Sequence, residues 1–179
     1  MEKRSMEELG RLSADEFKAA DKFPFVLVLD NIRSGLNVGS IFRTADAFAL
    51  SKLLLCGITA QPPHREILKT ALGSTETVDW EWRADIVEAV KELQSQGYKV
   101  YALEQTSQPI WLQEFKVEPG QPYAFILGNE VDGVEEHALA LCDGAVEIPQ
   151  FGTKHSLNVA VAAGILSWSL VRNKPGRSS

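Results

Sequence analysis

The chain has 179 residues, of which 45% are hydrophobic, and its 13 Gly and 8 Pro residues are not in excess. These values exclude a disordered chain and fit one globular domain with a sizeable core. The formal net charge of −6 argues against a broad nucleic-acid-binding surface, although it leaves room for a local basic patch.

Two features of the sequence bear on the cellular compartment. No apolar run reaches membrane-spanning length without polar interruption, and the charged amino terminus lacks an apolar signal core. We therefore expect a cytoplasmic protein with no membrane association. Cys56 and Cys142 are isolated, and we expect buried free thiols rather than a disulfide or a reactive site.

Residues 1–22 are predicted to form an N-terminal helical arm. Apolar residues recur among charges between Ser5 and Lys22, which is typical of a short amphipathic helix. Ser13 and Glu16 also have the spacing of a capping box, so two short helices are the alternative. The basic residues of the arm either form a solvated helix face or contact RNA.

The first predicted strand, residues 25–29, leads through a polar loop into a helix that opens at Asn37. Ligands bind at this carboxyl edge of an open α/β sheet. Asn37 is predicted to cap the helix. Arg43 lies six residues later, and its side chain leans back toward the start of the helix. Its guanidinium is therefore expected to reach the same pocket mouth as Asn37. The alternative is a surface ion pair between Arg43 and Asp46.

Strand and helix signals alternate along the rest of the chain. Strands are predicted over 52–56, 79–82, 98–103, 123–127 and 145–148, helices over 84–96 and 136–141, and a turn with a short helix between 61 and 77. Trp111 and Leu112 are expected to anchor a short helix or a loop. Arg65 and Lys69 either contact phosphate or belong to a plain connecting segment. The alternation indicates an α/β class with a mostly parallel sheet flanked by helices.

An acidic loop follows the strand over 123–127. Glu130 and Asp132 place two carboxylates between Gly128 and Gly133, which permit tight turning. Two carboxylates do not complete a magnesium sphere, so a solvated acidic turn competes with a magnesium site. The three histidines have no ligand-like spacing, and we predict no metal site.

Residues 148–171 combine a polar loop with an almost wholly apolar segment. The segment is predicted to be a helix buried on most sides. Ser156 and Asn158 stand at its entrance, where one polar residue would suffice as a cap. Two of them, preceded by Lys154 and His155, indicate a site.

Familiar nucleotide and hydrolase motifs are missing. The sequence contains no G-x-x-x-x-G-K-[ST], G-x-G-x-x-G or G-x-S-x-G pattern. Three loops at strand ends remain, and they carry Asn37 with Arg43, Glu130, and Ser156 with Asn158.

Three blocks resemble, in order, the motifs of the SpoU/TrmH family of S-adenosylmethionine-dependent RNA ribose 2′-O-methyltransferases. The blocks are NIRSGLNVGSIFRTADAF (31–48), ILGNEVDGV (126–134) and IPQFGTKHSLNVAVAAGI (148–165). The resemblance covers about residues 25–171. It implies a methyltransferase domain over 23–173 with a C-terminal tail over 174–179, a C-terminal trefoil knot, and a homodimer. General topology rules alone would predict against a knot.

The resemblance also implies roles for particular residues. The catalytic set it implies is Asn37, Arg43, Glu130, Ser156 and Asn158. The contacts to S-adenosylmethionine, made mainly by backbone, fall on Leu103, Gly128, Ile148 and Leu157. Backbone recognition accounts for the missing glycine-rich fingerprint. The chain departs from the family pattern at Gly35-Leu36, where a proline is frequent, and at Gln150, where methionine is common.

The hypothesis from the sequence is methyl transfer to a ribose 2′-hydroxyl in tRNA or rRNA. Arg43 is a poor base because the pKa of a guanidinium exceeds about 12. Stabilising the developing alkoxide or holding the adjacent phosphate is therefore easier for it. Two alternatives stay open, namely a catalytically inactive cofactor-binding or RNA-binding module and a methyltransferase acting on a non-RNA acceptor.

Overall fold

The computed structural model describes Lys3, Ser5 and residues 10–172. The beginning of the predicted arm and the predicted C-terminal tail lie outside the described residues. The strands are β1 (Phe23–Asp30), β2 (Leu50–Cys56), β3 (Trp80–Arg83), β4 (Lys99–Leu103), β5 (Ile110–Trp111), β6 (Tyr123–Leu127) and β7 (Gly144–Glu147). The helices are α1 (Ala14–Ala19), α2 (Gly35–Ala47), α3 (Arg65–Ala71), α4 (Ile86–Ser95), α5 (Glu136–Leu141) and α6 (Val159–Val171).

The strands form one sheet in the order β3-β2-β1-β6-β4-β7-β5, and every neighbouring pair is parallel. The predicted α/β class is confirmed. β6 lies between β1 and β4, and β7 lies between β4 and β5, so strands distant in sequence become neighbours. All carboxyl ends therefore meet at one edge of the sheet. The trefoil knot stays a prediction of the family resemblance.

Helices cover both faces of the sheet, which explains the continuous apolar runs of the central strands. Successive residues of β1 point to opposite faces. Leu27 and Leu29 pack into the cluster that contains α2, α3 and α6 residues, whereas Val26 and Val28 pack into the cluster with α4 and α5. All four are buried, and full burial of each such side chain contributes about 1.5–3 kcal/mol.

The N-terminus of α2 differs from the prediction. Ser34 is the cap, because its Oγ accepts a hydrogen bond from the Asn37 N–H at 3.2 Å. Asn37 is therefore not the cap but lies in the first turn. Its side chain is left to bond elsewhere.

The close approach of α2 and α3 depends on Gly39. A Cβ at this position would overlap the Ile67 carbonyl and the Thr70 hydroxyl. Because Gly39 has no side chain, the backbone of α2 can pack directly against α3 at this point, and this contact sets the position of α3 beside α2.

Two further segments differ from expectation. Trp111, expected with Leu112 to anchor a short helix or a loop, instead forms the edge strand β5 with Ile110 and pairs with β7, whereas the buried Leu112 does begin a turn. α6 packs one side against the core but exposes a stripe of Val161, Ile165 and Trp168, which are 52%, 38% and 58% exposed. The prediction that this helix is buried on most sides is thus wrong for the single chain.

Several local predictions are confirmed. Ser13 and Glu16 form a reciprocal capping box at α1. Cys56 and Cys142 are free; Cys56 is buried as predicted, whereas Cys142 is partly buried, and burial raises the pKa of each thiol to about 12. Within the described part of the chain, no helix is long and apolar enough to cross a membrane.

Candidate functional site

A chain of side-chain hydrogen bonds joins the three loops that the sequence singled out. Asn37 Nδ2 donates to Glu130 Oε1 at 2.8 Å, and Asn158 Nδ2 donates to Asn37 Oδ1 at 3.1 Å. The three residues are far apart in sequence and come from α2, the loop after β6 and the loop before α6. The fold therefore brings them to one place.

The direction of this chain is set by the start of α6. Asn158 caps the helix, because its Oδ1 accepts from the backbone N–H groups of Ala160 at 2.9 Å and Val161 at 3.3 Å. Its Nδ2 is then the group that faces Asn37. Asn37 must accept through Oδ1, so its own Nδ2 is directed at the Glu130 carboxylate. Helix capping thus orients all three side chains.

Arg43 and Ser156 lie apart from this chain. Arg43 is exposed on α2 and lines a cleft of about 480 Å³ between α2 and α3. It forms no hydrogen bond or ion pair with any residue that the structure describes, and Asp46 instead accepts a hydrogen bond from the Thr77 hydroxyl. The alternative of an Arg43–Asp46 ion pair is therefore wrong. Ser156 is exposed and bonds to no described side chain.

The loop that carries Glu130 is fixed by its own backbone. Asn129 and Gly133 exchange two backbone hydrogen bonds of 3.1 Å, and Asn129 Oδ1 accepts from the N–H groups of Val131 and Asp132 at 2.9 Å. A Cβ on Gly128 would overlap the backbone of Gly133, so this position has no room for a side chain. The tight loop holds Glu130 toward Asn37.

Two carboxylates outside the predicted catalytic set anchor the same loop. Glu104, directly after β4, accepts from the Val134 N–H at 3.1 Å. Asp30, at the end of β1 and 1% exposed, accepts from the Glu135 N–H and the Asn31 side chain, both at 2.8 Å. Burial raises the pKa of the Asp30 carboxyl. Their position at carboxyl ends of strands was the available signal, but their partners are distant in sequence.

The predicted cofactor contacts lie along the carboxyl edge of the sheet. Leu103 pairs in register with Leu127 of β6 and Val146 of β7, so Gly128 lies one residue and Ile148 two residues beyond the level of Leu103. Leu157 is exposed just before α6.

A cavity of about 430 Å³ adjoins this edge, and it is lined by Gln105, Trp111, Gln113, Glu147, Pro149, Gln150, Phe151, Lys154 and His155. Its volume lies in the usual range for small-molecule sites. Gln105 donates from Nε2 to the His155 carbonyl at 2.7 Å and so ties the end of β4 to the loop before α6. The bond between Gln105 and His155 was not predicted, because nothing in the local sequence of Gln105 marks its partner.

The predicted contact residues Leu103, Gly128 and Ile148 are at the carboxyl ends of parallel strands, which is where ligands bind in open α/β sheets. No glycine-rich phosphate loop is required for a cofactor without phosphate. Among the residues that the structure describes, no three His, Cys, Asp or Glu side chains are grouped so as to hold a metal ion.

Comparison with known proteins identifies the family. The sequence model of the SpoU rRNA Methylase family matches residues 24–168. The chain belongs to this family. It is 31% identical over 172 residues to the tRNA (guanosine(18)-2'-O)-methyltransferase of Thermus thermophilus, covering 96% of this chain and 86% of the relative.

Other relatives are longer. The 23S rRNA (guanosine-2'-O-)-methyltransferase RlmB of Vibrio parahaemolyticus is 28% identical over 93% of this chain, which spans 66% of that protein. Among solved structures, the AdoMet-bound rRNA methyltransferase from Sinorhizobium meliloti superposes with a TM-score of 0.80 at 25% identity. That match covers 89% of this chain and 61% of the other. The SpoU/TrmH fold is therefore confirmed.

Proposed function

We propose that this chain is an S-adenosylmethionine-dependent methyltransferase that modifies a ribose 2′-hydroxyl in tRNA or rRNA. The observation that carries the proposal is the hydrogen-bond chain from Glu130 through Asn37 to Asn158, which joins the three family motifs at the carboxyl edge of the sheet. Family membership and the names of the relatives support the reaction type. Both named relatives act on guanosine, so we propose a guanosine ribose as the acceptor.

The proposed cofactor site is formed by the backbone at Leu103, Gly128, Ile148 and Leu157, within a methyltransferase domain that spans residues 23–173. When bound, S-adenosylmethionine supplies an electrophilic methyl group. The chain's own task is to hold the ribose hydroxyl close to that group, to exclude competing water and to stabilise the oxygen as it loses its proton.

The five predicted catalytic residues divide among three places. Asn37, Glu130 and Asn158 form a preorganised polar surface that orients the ribose, since their mutual bonds fix each side chain. Arg43 lacks a partner among the described residues, so its guanidinium is available to an alkoxide or a phosphate. Ser156 is exposed next to Leu157 and supplies a hydroxyl at the entrance of the cofactor site.

A homodimer is proposed on the stripe formed by Val161, Ile165 and Trp168. Surface helices normally turn polar residues outward, and a contiguous apolar stripe is typical of an interface. A two-fold symmetric pairing through α6 would bury it. The Trp168→Glu variant should elute as a monomer in size-exclusion chromatography with light scattering at a concentration where the native chain is dimeric. A monomeric native chain would contradict the dimer.

The test of function separates the proposal from its two alternatives. Binding of S-adenosylmethionine is measured by calorimetry, and methyl transfer is measured with radiolabelled cofactor on unmodified tRNA and on rRNA. We expect binding, and label in one RNA pool. Binding without transfer to either pool would favour an inactive module, and label that appears only in protein or small molecules would favour a non-RNA acceptor. Because RNA modification takes place where RNA is made and used, a cytoplasmic location accompanies the proposal.

A further inference from the structure

Two cationic side chains on α3 have no carboxylate partner within the described chain. Arg65 and Lys69 are four residues apart, exposed, and on the same face of the helix. Like charges at this spacing destabilise a helix by about 0.2–0.5 kcal/mol. Neither forms a hydrogen bond or ion pair with another described residue.

Some cations elsewhere in this acidic chain are paired with carboxylates. Around β3 and α4, Lys52 bonds to Glu81, Arg83 to Glu81 and Glu92, and Lys91 to Glu88. Lysines and arginines in that region therefore have local carboxylate partners. The α3 pair does not, although the formal charge of the chain is −6 and carboxylates are plentiful.

Lys69 shares a cleft with Arg43. The cleft of about 480 Å³ runs between α2 and α3, with Arg43 on one helix and Lys69 on the other. The hydroxyls of Ser40 and Thr70 in its wall both donate to the Leu36 carbonyl at 2.9 Å. The charged donors of the cleft, Arg43 and Lys69, therefore remain free among the described residues. Such a pair of donors suits an anion with several acceptor oxygens, above all a phosphate diester.

The cleft is close to the hydrogen-bonded residues of the site. Six residues separate Asn37 from Arg43 along α2, which corresponds to about 9 Å of helix. Arg65 lies one turn before Lys69 on α3, where His64 and Glu66 pack beside Gly35 at the start of α2. The three cations thus lie along two packed helices, as contacts to successive phosphates of a polyanion would require.

We propose that Lys69 and Arg65, together with Arg43, bind the phosphate backbone of the RNA that flanks the methylated nucleotide. The inference rests on the proposed function, and it adds a substrate-holding surface on α3. Lys69 and Arg65 contribute to RNA affinity and not to the chemical step, because neither forms a hydrogen bond with Asn37, Glu130 or Asn158.

The experiment compares Lys69→Gln and Arg65→Gln with the matched control Lys91→Gln. The control also removes one exposed positive charge, but from α4, where Lys91 is bonded to Glu88. RNA binding is measured by gel shift with unmodified tRNA at several salt concentrations, and methyl transfer is measured under steady state. Calorimetric affinity for S-adenosylmethionine reports on the integrity of the fold.

Each α3 variant should weaken RNA binding by about three- to ten-fold and should lower the slope of log affinity against log salt by about 0.7–0.9. KM for RNA should rise, while kcat and cofactor affinity stay within about two-fold of the native values. Lys69→Arg should retain binding. The control should match the native protein.

The inference is overturned if both α3 variants bind RNA with the salt slope of Lys91→Gln, or if the native chain binds no RNA at any salt concentration. The gel shift needs no catalysis, so it tests the RNA-binding surface on α3 separately from the proposed methyltransferase activity. RNA binding that depends on Lys69, without methyl transfer by the native chain, would support this surface and contradict the proposed activity.

Discussion

Asn37→Asp tests the direction of the hydrogen-bond chain in the site. The change keeps an acceptor for Asn158 but replaces the donor to Glu130 by an oxygen. Two carboxylates would then lie about 2.8 Å apart where the structure has an amide and a carboxylate. Asp has nearly the same size and shape as Asn. The variant therefore changes the charge and replaces a hydrogen-bond donor by an acceptor, but it leaves the packing unchanged.

The size of the effect follows from Coulomb's law. At 2.8 Å, repulsion between unit charges is about 1.5 kcal/mol in bulk water and about 6 kcal/mol at an effective dielectric constant of 20. Glu130 and Asn158 are exposed, so the lower part of this range applies. A loss of about 1.5–3 kcal/mol corresponds to a fall of roughly ten- to 150-fold in kcat/KM.

The assay is methyl transfer to RNA between pH 5 and pH 8. Repulsion raises the pKa of one carboxyl of the new pair, and its protonated form can donate again. The activity of Asn37→Asp relative to the native enzyme should therefore rise as the pH falls from 7 toward 5. A native pH profile with native kcat/KM in this variant would refute the assigned geometry.

In the double variant Asn37→Asp/Glu130→Gln, the amide introduced at position 130 can donate a hydrogen bond to the carboxylate introduced at position 37. The hydrogen bond between the two positions is thus restored in the opposite direction. Thermal stability and cofactor affinity should recover relative to Asn37→Asp alone, which a double-mutant cycle measures directly. An additive cycle would contradict a direct contact between the two side chains.

Three further changes test the packing and the buried groups. Gly39→Ala should lower the free energy of unfolding by about 1–3 kcal/mol in denaturant titrations, since overlap with Ile67 outweighs the gain in helix propensity. The control is Gly164→Ala, whose Cβ meets nothing within 4 Å, and it should not destabilise the single chain. Asp30→Asn should flatten the pH dependence of unfolding in weakly acidic solution. The raised pKa of Asp30 means that its protonated form stabilises the fold, and this contribution is lost as the pH rises through the folded-state pKa; an unchanged profile would contradict a raised pKa. Native Cys56 should resist alkylation at pH 8 and react only after unfolding, because burial raises its pKa to about 12; rapid modification of the native chain would contradict that burial.

Most of the sheet could be predicted because its strands are continuous apolar runs. Burial on both faces leaves such runs no polar interruption, and turn residues such as Gly57 mark their ends. β5 escaped prediction, since two residues are too short to show a period. Its pairing with β7 is a tertiary effect that no local pattern of Ile110 and Trp111 records.

The site shows the same division. Ser34 and Asn37 are both good caps, and only the backbone conformation decides between them. The residue types of the cluster were predictable, but its bonds were not, because Glu130 is 93 residues from Asn37. The sequence of α6 is apolar on every side of the helix. This pattern does not distinguish a helix that is buried within one chain from a helix that is buried against a second chain.

The most direct test of the central claim is the chemical position of the transferred methyl group. RNA labelled by the native chain is hydrolysed with alkali, which cleaves next to a free 2′-hydroxyl but not next to a methylated one. We expect the label in alkali-resistant dinucleotides that contain guanosine, and no label in RNA treated with Arg43→Ala, although that variant still binds S-adenosylmethionine. Label released in mononucleotides, or full transfer by Arg43→Ala, would contradict the account.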